Sequence, residues 1–106
     1  KMSQKLVIYW RDIPAQVVAE TGKGRNRIQA KRELHRRFAL AIDEAAMRAG
    51  ADKSDDYLKD WHRDTPFPCT DSLEQEAETL ATQIEHEFSS AKLSALIANG
   101  GFKSAE

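Results

Sequence analysis

Arg11, Asp12 and Gln16 stand around Pro14, directly after Tyr9 and Trp10. A guanidinium so placed can clamp a carboxylate or phosphate in bidentate fashion, with a neighbouring carboxylate orienting it. The same residues also make a turn. Asp12 can bond backbone amides, Arg11 can pair with Asp12 or with a helix carboxylate, and the aromatics can pack. Strand alternation puts Tyr9 and Trp10 on opposite faces, so one of them points away from the core. An outward aromatic beside Arg11 is a suitable anchor for a partner.

A second group of cations follows: Lys23, Arg25 and Arg27, interleaved with Gly22 and Gly24. A glycine-rich turn that opens a helix can cradle phosphate. This one lacks both the P-loop pattern and the spacing of a dinucleotide fingerprint, which favours a plain turn between elements. The basic stretch continues to Arg37, and an acidic stretch from Asp71 to Glu87 has no Lys or Arg in it. The net charge of −1 hides this asymmetry, and the two stretches can answer each other within one molecule or between copies. With a pI near 6.4, nucleic acid ranks last among partners for the basic face, behind an acidic protein.

Other residues with chemical capacity are dispersed. His35, His62, His86 and Cys69 give no short metal-ligand spacing. No Cys–His or Ser–His–Asp order argues for a nucleophile. Cys69 after Pro68 reads as a small buried hydrophobe and Glu74, Glu78, Glu85 and Glu87 as a solvated face. No catalytic residue, metal or cofactor is therefore assigned, and the chain reads as more a binding protein than an enzyme.

The elements that position these residues follow from periodicity. Leu6–Trp10 is a short apolar run of β-formers; Arg11–Pro14 interrupts it; Ala15–Thr21 resumes it. This predicts a β-hairpin, which needs helices against one face. Ala30, Leu34, Phe38, Ala41, Ile42, Ala45 and Ala49 recur at helical spacing, so a helix is expected from about Asn26, its N-cap, to Ala49, with Gly50 as the stop. Ser54 is expected to cap a short helix with Tyr57, Leu58 and Trp61 on its apolar side. Thr65–Cys69, with two prolines, reads as a loop, although a third strand near Phe67 is conceivable. Asp71 and Glu74 form a capping box for a helix through Leu73, Ala77, Leu80, Ile84 and Phe88. Ser89–Ser90 starts a last helix with Leu93, Leu96 and Ile97 inward, and Asn99–Gly101 ends it. The sum is one α+β domain over 1–106: an N-terminal hairpin on three to four helices, a flexible start at 1–4 and a frayed tail at 102–106.

Composition agrees with a soluble globular chain: 41% hydrophobic and 31% charged residues in 106. No apolar run is long enough to span a bilayer. Lys1–Lys5 leads into no apolar stretch of the signal-peptide kind, and the single cysteine allows no internal disulfide, so a cytoplasmic setting is expected.

Several segments, in order, resemble a bacterial family known as the "virulence factor" domain. They are Tyr9–Val17, the Arg-rich stretch leading to Phe38 and Ala45–Gly50, Asp56-Tyr57-Leu58-x-x-Trp61, Pro68–Cys69, and Leu93-x-x-Leu96-Ile97. The resemblance implies small stand-alone proteins, or one segment of a longer protein called conserved virulence factor C. It brings no assigned catalytic residues, and it implies an accessory role near one-carbon and corrinoid metabolism.

Two functional expectations follow. The first is a non-enzymatic interaction module that docks a larger protein, or a second copy, through the ribbon face that carries Arg11, Asp12, Gln16 and one of Tyr9 or Trp10, assisted by Lys23, Arg25 and Arg27. The second is a small-anion or cofactor-binding protein, for a phosphate-, folate- or corrinoid-type ligand, whose cations from turn and helix start converge on one pocket.

Overall fold

The apolar run at the N-terminus does form a strand, and its partner is the segment after Pro14. In a computed structural model, which describes residues 3–51 and 55–103, β1 (Ser3–Trp10) pairs antiparallel with β2 (Ile13–Thr21). A bulge opposite Ile8 and Tyr9 leaves Ala15 out of register and tightens the hairpin end.

The first departure from expectation comes after the hairpin. Residues 24–26 form one 3-10 turn, and Ile28–Glu33 is a strand, β3, paired antiparallel with β2. Helix α1 begins only at Arg36 and runs to Arg48. Its N-cap is His35, whose Nδ1 accepts the Arg37 amide, and not Asn26. Ala30 lies at helical spacing from Leu34 and Phe38, but it is the inward residue of a strand, opposite Ala19. The end of the helix is where expected, with Gly50 at φ 69° after Ala49.

After α2 (Asp55–Lys59), Trp61–Arg63 forms β4 rather than extending the helix, and Phe67–Cys69 forms β5 rather than a loop. Both pair with the free edge of β1, β4 near Tyr9 and β5 near Gln4. The conceivable third strand near Phe67 is thus real. The proline-containing segment is an edge strand, where proline's missing amide costs no ladder bond. The sheet order is β3-β2-β1-β4, with β5 beside β4 on β1. The expected Ser54 cap lies outside the described residues.

Helix α3 (Leu73–Glu87) covers the face that carries Ser3, Lys5, Val7, Val17, Ala19 and Ala30. Its N-terminus is fixed by a different device from the expected Asp71–Glu74 box. Glu76 accepts from the Thr70 amide and hydroxyl and pairs with Lys5 at 2.8 Å, while Asp71 accepts from the Ser3 hydroxyl. Ser3 is buried, so residues 3 and 4 belong to the sheet and not to a flexible start. Helix α4 (Ser90–Ala98) is capped by Ser89 and packs on α1. The basic and acidic stretches meet in part: Arg32 pairs with Glu78, and Arg37 donates to the Glu85 and Phe88 carbonyls.

The Glu76 contacts make a pH prediction. Lys5 and Thr70 hold its carboxyl down to about 2. A lowered carboxyl favours the folded state fully above the ordinary range near 4.5, and that contribution fades as pH falls towards 2. Glu76→Gln should therefore unfold at lower urea than the parent at pH 6, and the two urea midpoints should converge near pH 2. A gap unchanged with pH would refute this.

Candidate functional site

The hairpin turn is where sequence reasoning concentrates chemistry, and the structure shows it locked. Arg11 sits at φ 55°, a left-handed conformation unusual for a residue with a Cβ. Its Nε donates to Asp60 at 2.8 Å and its terminal nitrogen to the Gly100 carbonyl at 2.8 Å. Its guanidinium lies between the Trp10 and Phe102 rings, 4.7 and 4.6 Å from their centroids. Asp12 accepts from the Lys103 amide at 2.8 Å and donates its own amide to Gly101. Phe102 and Lys103 are thereby tied down, in contrast with the frayed tail expected from 102 onwards. Trp10 is fully buried, and its indole donates to the Tyr57 carbonyl. The outward display of Arg11 is thus corrected, and of the two aromatics Trp10 is the inward one: these groups satisfy one another and two distant loops.

The remaining named residues do not converge. Tyr9, the aromatic on the opposite face, stacks on His62 with centroids 5.6 Å apart. Burial pushes its phenol up, and the Asp64, Glu87 and Asp12 carboxylates add to that. These groups line a polar groove of about 430 Å³ that Phe88, Lys92, Leu96 and Lys103 complete. His62 is on β4, not on a helix surface, and its Nε2 bonds the Arg11 carbonyl at 2.8 Å. Lys23, Arg25 and Arg27 are exposed at the far end of β2, nine strand residues from the hairpin turn. That separation is about 27 Å, too far for Arg11 and the basic turn to share one anion.

Gln16 leads to the feature that the sequence concealed. Alternation on the paired strands gives Ile8, Gln16, Glu33 and Trp61 one common face. There they meet Leu34, Arg36, Ala39, Ile42 and Asp43 from the start of α1, and Tyr57 from α2. The result is a cleft of about 360 Å³ with an apolar floor and an aromatic wall, where Tyr57 and Trp61 meet edge to face. A further hollow, lined by Asp43, Ala46, Met47 and Tyr57, shares two of its residues. Together they make one groove along α1, from Gln16 to Met47.

The polar groups of this groove differ from those of the turn. The side chains of Gln16, Glu33, Arg36 and Asp43 have no hydrogen bond or ion pair among the described residues. Met47, which lines its far end, is 60% exposed. The sequence held traces of this groove in Gln16 and in the aromatic pair Tyr57 and Trp61. The rest depends on β3, whose misreading as helix hid Glu33 from view.

Elsewhere on that sheet face the polar groups are paired. Glu20 is 4% exposed and accepts from Gln4, Gln29 and Arg63. The Gln29 bond, then the Gln4 bond and the Arg63 and Arg27 charges, lower its carboxyl against the effect of burial. Cys69 is half-buried and its thiol is pushed up, first by burial, so it is not an activated nucleophile. No group of three or more His, Cys, Asp or Glu able to hold a metal ion occurs among the described residues.

Comparison with known proteins adds one decisive match. The family model described as "Virulence factor" spans residues 8–97 of the 106. The chain belongs to the virulence factor family. The match takes in every element from the second half of β1 to the last turn of α4. No curated protein and no solved structure matches the chain. For this virulence factor domain, function must therefore be argued from its surface. None of its described helices is long and apolar enough to cross a membrane.

Proposed function

We infer that this virulence factor domain is a non-enzymatic interaction module, an accessory part of a bacterial cytoplasmic complex, and that it docks a larger protein through the groove along α1. One observation carries the reading: an elongated apolar trough rimmed by four polar side chains that nothing among the described residues satisfies. Such a trough is costly to leave hydrated and gains from a partner that fills it and pairs its rim. Exposed Met47 suits the role, because its flexible thioether adapts to varied partners. The docking face is thus moved from the hairpin turn, where Arg11 and Trp10 are internal, to the neighbouring cleft that shares Gln16.

A photo-crosslinking residue placed at Ala39 or Met47 tests the reading in cells that produce the protein. Defined adducts are expected from these positions, and none from Thr79, Thr82 or Gln83 on the outer face of α3. Ala39→Glu, which puts a charge on the floor, should cut capture from Met47 by about tenfold. Equal adducts from the α3 positions, or capture indifferent to Ala39→Glu, would overturn it.

A further inference from the structure

The basic turn joining β2 to β3 is absorbed neither by the core nor by the groove, yet it is rigidly built. Gly22 has φ 86°, and a Cβ there would meet the Asn26 carbonyl oxygen at 2.7 Å, so glycine is required. Gly24, at φ 56°, completes a turn closed by the Asn26 and Arg27 amides on the Lys23 and Gly24 carbonyls. On this frame Lys23, Arg25 and Arg27 are exposed without an ion pair among the described residues. Ile28, the next residue, is 61% exposed. The turn therefore presents one branched apolar side chain flanked by three cations.

The groove along α1 has the complementary form. Its floor is apolar, its volume of about 360 Å³ admits a branched side chain together with the stem of an arginine, and its rim carries the carboxylates of Glu33 and Asp43, unpaired among the described residues. Exposed Arg36 on the same rim can donate to an incoming acceptor, and Asn26 in the turn has a side-chain amide oxygen to offer. Both halves of this match lie on one chain. They occupy opposite ends of the β2–β3 hairpin, since Gln16 and Glu33 pair at the groove end and Thr21 and Ile28 at the turn end. A separation of about 20 Å keeps a turn from reaching its own groove.

We propose that the domain associates head to tail, with the Lys23–Ile28 turn of one copy seated in the α1 groove of the next. The inference rests on the groove being a docking surface, and it names a second copy as an occupant. Donor and acceptor surfaces differ, so the contact is heterologous and does not close at two subunits. Charge pairs at its rim make it sensitive to salt.

Sedimentation equilibrium over a range of concentrations, in low and in high salt, tests this with four proteins. The parent should grow in mean mass with concentration in low salt and return towards 11.9 kDa in high salt. A turn variant, Arg25→Glu with Arg27→Glu, and a groove variant, Glu33→Arg with Asp43→Arg, should each stay monomeric. All four positions are exposed, and unchanged circular dichroism and thermal unfolding confirm folding of the variants. An equimolar mixture of the two should recover growth by alternation, because the intact halves match each other and the reversed halves match each other across the two variants. Combining all four substitutions in one chain should restore growth, with a dissociation constant within about tenfold of the parent.

A parent that is monomeric at every concentration overturns the proposal, as does association that survives either variant or a mixture that stays monomeric. If crosslinks from Ala39 and Met47 persist to another protein while the parent stays monomeric, only the second copy as occupant falls. If neither is seen, the docking role of the groove falls with it.

Discussion

Replacing Trp10 by alanine is expected to remove about 3–5 kcal/mol of folding stability. The indole is fully buried at the meeting point of β1, β4 and α2, against Tyr57 and the Cα of Gly101. A Cβ on Gly101 would stand 2.9 Å from the indole ring, so the loop has no side chain with which to fill the vacated space. Domains of this size carry about 5–15 kcal/mol in total, so the variant should sit near its folding threshold at 37 °C. Trp10→Phe separates volume from bonding. It keeps most of the packing but leaves the Tyr57 carbonyl without its indole donor, at a cost of about 1–2 kcal/mol. Urea unfolding followed by far-ultraviolet circular dichroism reads both. A Trp10→Ala loss below about 1 kcal/mol would contradict the burial described.

Arg11→Ala should cost about 3 kcal/mol, through loss of the partly buried pair with Asp60, the bond to Gly100 and the stacking between Trp10 and Phe102. Arg11→Lys should recover little, because an ammonium cannot span Asp60 and the Gly100 carbonyl while lying flat between two rings. Arg11→Gly isolates the backbone. At φ 55° glycine is relieved of Cβ strain, so this variant should be about 1 kcal/mol more stable than Arg11→Ala. Should the three variants match the parent in urea midpoint, the guanidinium would not hold the turn together. Were it only a ligand-binding group, its loss would leave stability intact.

The contrast between Arg11 and Gln16 shows what local sequence carries. The hairpin was legible because an apolar β-forming run met Pro14 and resumed, and that pattern is complete within about fifteen residues. Helices α3 and α4 were legible for the same reason, through Leu73–Phe88 and Leu93–Ile97. β3 was not. Ala30 falls at helical spacing from Leu34 and Phe38, and Gln29, Lys31 and Arg32 suit a helix surface as well as an edge strand. Pairing with β2 decides the matter, and no propensity encodes it. Likewise, Arg11 reads as a free cation until Asp60 and Gly100, 49 and 89 residues away, are folded against it. The groove required both pieces of missing information. It needs β3 to bring Glu33 beside Gln16, and β4 to turn Trp61 onto the same side.

The strap from Gly100 to Lys103 has a consequence for biosynthesis. It closes over the first turn of the protein, through Arg11, Asp12 and Trp10, and completes the cover that Asp60 and Tyr57 begin. A nascent chain on the ribosome can therefore pair its first two strands early, but it leaves an indole and a guanidinium uncovered until position 103 has cleared the exit tunnel. The N-terminal half should stay open to chaperones and proteases until then, and chains stalled or truncated before Gly100 should be degraded rather than accumulate.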